Sequence, residues 1–221
     1  MREITVGDLM TRAVITAVRE TSIREIVAIQ ASRPGEAVPV IDASGRPVGM
    51  VSEADVLTKL EFHGGGDMPP LLCGAAARAR WRKSAATTAG EVMTAPATCI
   101  APDAGLTAAV RTLATASVPG VCVIDRMSRL VGTLSRLDAL RPFLRDDVEL
   151  QTEVEQEIVG RGRAQDTICV EVSDGIVTLD GALLLRSSAD HACWRTRRVP
   201  GVVAVNNRLR FQVDDLMITG L

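Results

Sequence analysis

With 221 residues, the chain is long for one domain and comfortable for two. Apolar residues make up 47%, enough for buried cores, but aromatics are 2% and Tyr is absent. The cores must therefore be aliphatic, and stacking of bases on aromatic platforms is excluded as a route to nucleic-acid binding. A net charge of −2 gives no long-range attraction to DNA or to anionic lipid.

Arg2, Glu3 and Asp8 interrupt the short apolar stretches at the start, which therefore does not read as a signal peptide, and no apolar run is long enough to span a bilayer. Cys73, Cys99, Cys122, Cys169 and Cys193 lie far apart without a C-x-x-C pair. Buried, reduced thiols in a cytoplasmic protein are expected. With only His63 and His191 to add, no metal site is expected.

In chain order, the first predicted element is a short helix ending near Met10, followed by an extended piece from Val14 to Val18. A longer helix carries Ile23, Ile26, Val27 and Ile29, and Ser22-x-x-Glu25 opens it as a capping box. Strands are predicted at Val38 to Ile41 and Pro47 to Val51, joined by the polar turn Asp42-Ala-Ser-Gly-Arg46. The second strand turns at Ser52 into a helix, with Asp55 three residues on. Between Glu61 and Ala86, Gly64-Gly65-Gly66 and Pro69-Pro70 mark a flexible loop. Arg78, Arg80, Arg82 and Lys83 around Trp81 then form the one concentrated basic run. It reads as a solvated linker helix, with contact to nucleotide phosphates or to an acidic partner as the functional alternative.

The pattern then begins again. Shifted by 83 residues, the step from Asp55 to Asp138, one long segment falls on another without a gap. Thr5-Val-Gly-Asp-Leu-Met-Thr11 lies on Thr88-Ala-Gly-Glu-Val-Met-Thr94, Val38-Pro-Val-Ile-Asp42 on Val121-Cys-Val-Ile-Asp125, and Val48-Gly-Met-Val-Ser-Glu-Ala-Asp55 on Val131-Gly-Thr-Leu-Ser-Arg-Leu-Asp138. The second copy has its own extended piece, Ala97 to Ala101, and a helix bearing Leu106, Val110 and Leu113. Neither copy carries enough apolar surface to bury alone, so the two are expected to pack about a pseudo-twofold axis.

After Phe143 the pattern changes. Asp146-Asp147 is placed to cap a helix bearing Val148, Leu150, Val154 and Ile158. Ile168 to Val172 and Ile176 to Leu179 alternate as strands about Asp174-Gly175, a hairpin signal, and Gly181 reads as the end of the second strand. A helix from about Ser187 to Arg198 and a strand from Val202 to Phe211 complete a small unit. The expected fold class is α/β (α+β): two pseudo-twofold-related repeats packed as one module, plus a small α-β-β-α-β domain. The divisions are 1–62 for the first repeat, 63–86 for the linker, 87–146 for the second repeat and 147–215 for the small domain.

The repeat resembles a pair of CBS domains, on the strength of Gly7-x-x-Met-Thr11 and Gly90-x-x-Met-Thr94, the Val-Pro-Val-Ile-Asp strand, and Val-Gly-x-x-Ser-x-x-Asp in both copies. The C-terminal part resembles a BON domain through Asp174-Gly-Ile-Val-Thr-Leu-Asp-Gly181 and Val199-Pro-Gly-Val-Val-Ala-Val-Asn206. The first resemblance implies a regulatory module that binds AMP, ADP, ATP or another adenosyl ligand between the repeats, with no obligatory cofactor. In that reading Asp55 and Asp138 accept ribose hydroxyls, and Ser52 and Ser135 meet phosphate at a helix start. Val38, Pro39, Val121 and Cys122 wall the adenine, while backbone groups around Ile15-Thr16 and Thr98-Cys99 read its edge. Glu36 opposes phosphate if it faces the cleft, and the place of the usual proline is taken by Cys122, with Pro119 upstream.

The BON resemblance implies attachment to a partner protein or to membrane lipid. Residues 147–215 hold eight Arg or Lys against twelve Asp or Glu, about −4, which favours the protein partner; Arg195, Arg197 and Arg198 on one helix are the exception. A homodimer through the CBS module is expected as well. A ligand-free interaction or structural protein is the standing alternative, because Ser-x-x-Asp at a strand-to-helix turn is also a plain helix cap. Neither a catalytic Ser-His-Asp or Cys-His pattern nor a P-loop is present, so no enzymatic activity is expected. Nucleic-acid binding is not expected either.

Overall fold

The computed structural model describes residues 4–65, 74–116, 118–159 and 167–216; the predicted loop at Pro69-Pro70 lies outside them. The chain divides into two compact units, Glu3–Ala139 and Leu140–Leu221 together with Met1–Arg2.

In the first unit each repeat gives a short helix, a longer helix, a β-hairpin and a closing helix. These are α1 (Val6–Leu9), α2 (Ile23–Ser32), β1 (Val38–Ile41), β2 (Pro47–Val51) and α3 (Glu53–Glu61), then α4 (Ala75–Ser84) from the intervening segment. The second repeat supplies α5 (Ala89–Val92), β3 (Cys99–Ile100), α6 (Leu106–Thr115), β4 (Gly120–Ile124), β5 (Leu130–Ser135) and α7 (Arg136–Leu140). Of the box expected at Ser22, the half from Glu25 N–H to Ser22 Oγ is formed, at 3.3 Å.

One proline separates the two sheets. In the second repeat the Cys122 N–H donates to Thr98 O at 2.9 Å, and β3 runs parallel to β4. Its counterpart Pro39 has no N–H to give, so the first extended piece joins β1 through the single bridge Ala17↔Val40.

The pseudo-twofold axis shows in bonds that exchange under the 83-residue shift. Thr11 and Thr133 donate to each other's carbonyls at 2.9 Å; their images Met50 and Thr94 do the same at 3.0 and 2.8 Å. Gly7 N–H donates to Pro102 O at 2.7 Å and Gly90 N–H to Arg19 O at 2.9 Å. Each short helix thus packs on the other repeat. Val6 of α1 is buried with Leu113, Val121 and Leu134, while Ala89 and Val92 of α5 are buried with Ile26, Val40 and Val51. The exchange requires close approach. A Cβ on Gly49 would lie 2.4 Å from Met93 Sδ, and one on Gly132 2.8 Å from Met10 Sδ and 2.9 Å from Thr11 O.

Val27 and Val110, expected on the inner stripes of α2 and α6, are 44% and 46% exposed. Both lie one position beyond a fully buried residue, Ile26 or Ala109, and the 100° step of the helix turns them outward.

The second unit consists of α8 (Asp147–Val159), β6 (Thr167–Ser173), β7 (Ile176–Leu185), α9 (Arg186–Thr196) and β8 (Ala204–Val213), with sheet order β6-β7-β8. The β6–β7 hairpin turns at Asp174 and Gly175 (φ 51° and 72°), and β8 is parallel to β7 after the α9 crossover. Leu150, Val154, Val170, Val177 and Leu179 are among the buried side chains of its aliphatic core. Asp146 caps α8 by accepting from the Val148 N–H at 2.8 Å, whereas Asp147 holds the hairpin turn by accepting from the Asp174 and Gly175 N–H groups. Gly181 does not end β7, as expected, but sits inside it opposite Ile168. A Cβ there would fall 2.0 Å from Thr167 O, so glycine marks a close backbone approach within a continuing strand.

Candidate functional site

The two Ser-x-x-Asp turns are built alike. At the start of α3, Ser52 Oγ accepts from the Asp55 N–H at 3.4 Å, while Asp55 Oδ2 accepts from the Ser52 N–H at 2.8 Å and from the Ser52 hydroxyl at 2.7 Å. At the start of α7, Ser135 and Asp138 form the same three bonds at 3.1, 2.9 and 2.8 Å. Each turn is a reciprocal capping box that satisfies helix-start N–H groups and sets a carboxylate at the positive end of the dipole. A hydroxyl has one proton, and here each serine gives it to its own aspartate.

Asp55 Oδ1 is engaged as well. It accepts from the Lys83 ammonium, brought by α4, and from Thr94 Oγ1 at 3.1 Å; Lys83 Nζ also donates to Thr94 Oγ1 at 2.8 Å. With Asp55 only 8% exposed, the pair is shielded enough for these charge-assisted bonds to matter. Asp138 is equally buried.

Asp55 lines a cleft of about 260 Å³ formed between the repeats. The first repeat contributes Met50, Ser52, Ala54 and Asp55; the second contributes Thr94, Pro96, Ala97, Thr98, Val118, Pro119 and Gly120. An adjoining cleft of about 330 Å³ shares Ser52, Ala54 and Pro119 and adds Gly35, Glu36, Glu53 and Arg136. Glu36 therefore does face a cleft, with its carboxylate 3.6 Å from Arg33. Glu53 accepts from the Gly35 N–H at 3.2 Å, and its image Arg136 donates from Nε to Val118 O at 3.2 Å.

Of the residues expected from sequence, Ser52, Asp55 and Thr98 meet in one cleft. Val38 and Val121 belong instead to the cores under the helices; Pro39 and Cys122 are buried in their hairpins, and Thr16 is half-buried beside Ala17. Strand alternation turns Val38 and Val121 inward, and Pro96, Val118 and Pro119 supply the apolar wall in their place. Cys99 is half-buried beside Cys122. The Cys99 thiol donates to Ala97 O at 3.5 Å. Interaction with the neighbouring Cys122 thiol lowers the Cys99 pKa to about 7, and the same interaction, together with burial, pushes Cys122 up.

Sequence reasoning did not assign Thr94 or Arg136 to the site. It placed Lys83 in a basic run read as a solvated linker helix or as a contact to phosphates or an acidic partner, whereas the structure sets it on Asp55. The recurrence of Met-Thr at Thr94 was the available signal. Of the arginines expected on one helix, only Arg195 lies within α9, which ends at Thr196. Arg195 is turned to Glu157 at 3.5 Å and Arg198, past the helix end, stacks on Trp194 at 4.7 Å, so they do not form one free basic face. Among the described residues, no group of three His, Cys, Asp or Glu is placed to hold a metal ion, and no helix is long and apolar enough to cross a membrane.

Residues 6–61 and 89–145 match the family model of the CBS domain, just over half of the chain. The chain belongs to the CBS-domain family. Residues 146–213 match the BON domain, so a CBS pair is followed by a C-terminal BON domain. No curated protein matches the chain. Among solved structures, the CBS pair is similar to CBSX2 from Arabidopsis thaliana, crystallised in complex with AMP: 23% identity over 63% of this chain and 96% of that one, with a TM-score of 0.53. It is also similar to the CBS domain pair of MJ0100 in complex with 5′-methylthioadenosine and S-adenosyl-L-methionine, at 22% identity, 63% and 99% coverage and a TM-score of 0.51. A putative acetoin utilization protein, AcuB, from Vibrio cholerae is 25% identical over 68% of this chain and 97% of that one, with a TM-score of 0.50. These likenesses establish the CBS-pair fold.

Proposed function

We propose that the CBS pair is a non-catalytic, cytoplasmic regulatory module that takes an adenosyl ligand of the AMP, ADP or ATP type in the Asp55 cleft and passes binding on to the BON domain. The observation that carries this reading is the cleft between the repeats, which gathers the parts such a ligand needs. Asp55 offers a carboxylate to a ribose diol, Met50, Pro96, Val118 and Pro119 wall a base, and Arg136 supplies a guanidinium for phosphate in the adjoining cleft, where Glu36 and Glu53 oppose it. The adenosyl ligands held by two similar CBS pairs support it. Regulation follows only if the ligand binds two arrangements of the module unequally.

Calorimetry of the purified protein with AMP, ADP, ATP, NADH and S-adenosylmethionine tests the proposal. Binding below millimolar, lost in Asp55→Ala, supports it. Absence of binding to all five leaves the two boxes as helix caps and the chain as an interaction protein. Release of product from any of the five would make it an enzyme. Exposed Val27 and Leu57 of the first repeat, and Val110 of the second, support a homodimer through the CBS module, testable by light scattering. The excess of acid in the BON domain favours a protein partner over lipid.

A further inference from the structure

Helix α4 is held against the end of α3. Lys59 Nζ donates to Ser84 O at 2.8 Å and to Ala86 O, and Arg80 pairs with Glu61. These bonds fix where α4 ends, and Lys83, one residue before that end, is set on Asp55 Oδ1 in a triangle with Thr94 Oγ1. Ser52 takes Oδ2 through both its N–H and its hydroxyl. Oδ1 is thus the oxygen left for an incoming hydroxyl, and it already carries the Lys83 ammonium, which as a charge is the stronger donor, and the Thr94 hydroxyl.

We propose that Lys83 determines affinity and specificity in this cleft, as an internal occupant of the ribose-acceptor carboxylate that a ligand must displace. The inference rests on the adenosyl-ligand reading above. A diol that bonds Asp55 Oδ1 enters only molecules whose ammonium has withdrawn, so the apparent dissociation constant rises as that fraction falls. The displaced ammonium stays beside the cleft on a flexible four-carbon stem. A phosphorylated ligand regains an opposite charge for it, and an uncharged nucleoside regains none. Lys83 therefore weakens adenosine more than it weakens AMP and biases the site toward phosphorylated ligands.

The test is calorimetric titration of the full chain, wild type, Lys83→Met and Lys83→Arg, with adenosine and with AMP. Methionine keeps the length of the stem and removes the charge. Lys83→Met is expected to bind adenosine about fivefold tighter or more, with the preference for AMP over adenosine reduced by a similar factor, while Lys83→Arg keeps the wild-type preference. Unchanged or weaker adenosine binding in Lys83→Met, with AMP still bound, overturns the role of Lys83 and leaves the ligand reading standing. Absence of binding of either compound to wild type and variants overturns both. Lys83→Gln carries the same expectations if thermal melting shows Lys83→Met unfolded.

Discussion

The turns at Ser52 and Ser135 share a capping box and differ in almost everything placed around it. The residue after the serine is Glu53 in one and Arg136 in the other; one accepts from a loop N–H and the other donates to a loop carbonyl at the equivalent position. Pro39 leaves a single bridge in the first sheet where Cys122 supports a third strand in the second. Helix α3 is followed by α4, which brings Lys83 to Asp55. The contrast teaches that the cap is a local device, complete within four residues, whereas the chemistry of each cleft depends on what the other repeat and the intervening helix bring to it.

The shared architecture is most severely tested at Gly49 and Gly132. Gly49→Val and Gly132→Val should each lower stability by about 2–3 kcal/mol in urea unfolding, because each side chain meets the opposite repeat's Met-Thr segment. A large effect at one position and none at the other would break the pseudo-symmetry. Next come the caps. Asp138→Ala should cost about 1–2 kcal/mol by the same measurement and Asp55→Ala more, because it also strips the shielded Lys83 ammonium of its partner, with only Asp55→Ala abolishing ligand binding in the Asp55 cleft.

Cys122→Pro deletes the donor to Thr98 O and should cost about 1 kcal/mol or more, while Pro39→Ala leaves stability nearly unchanged. A smaller effect is expected at the cleft charges. Arg136→Gln should weaken AMP roughly two- to fivefold and leave adenosine unaffected. The last prediction concerns reactivity alone. Because the neighbouring Cys122 thiol favours the Cys99 thiolate, alkylation of Cys99 followed by peptide mass spectrometry should rise through a midpoint below the ordinary thiol value of 9.0. In Cys122→Ser the donor is weakly changed, and in Cys122→Ala the midpoint should move up.

Much of the fold was legible because its signals are local or periodic. Val38–Ile41 and Pro47–Val51 form strands where two short apolar runs and the polar Asp42–Arg46 turn between them place them. Gly181 misled because glycine marks both strand ends and close backbone approach, and only the register against Thr167 and Ile168 separates the two. The adenine wall was assigned to Val38, Pro39, Val121 and Cys122 because a continuously apolar strand does not show which of its residues face a cleft and which face the core.

The sequence by itself determined the duplication, the order of CBS pair and BON domain, and both capping boxes, since each depends on residues in register or within one turn of helix. Tertiary structure alone decided that α1 and α5 are exchanged between the repeats, that Pro119 walls the cleft, and that Lys83 meets Asp55 across 28 positions of chain. Such contacts have no period and no fixed spacing. They arise where Lys59 and Glu61 anchor α4, and where aliphatic burial sets one repeat against the other.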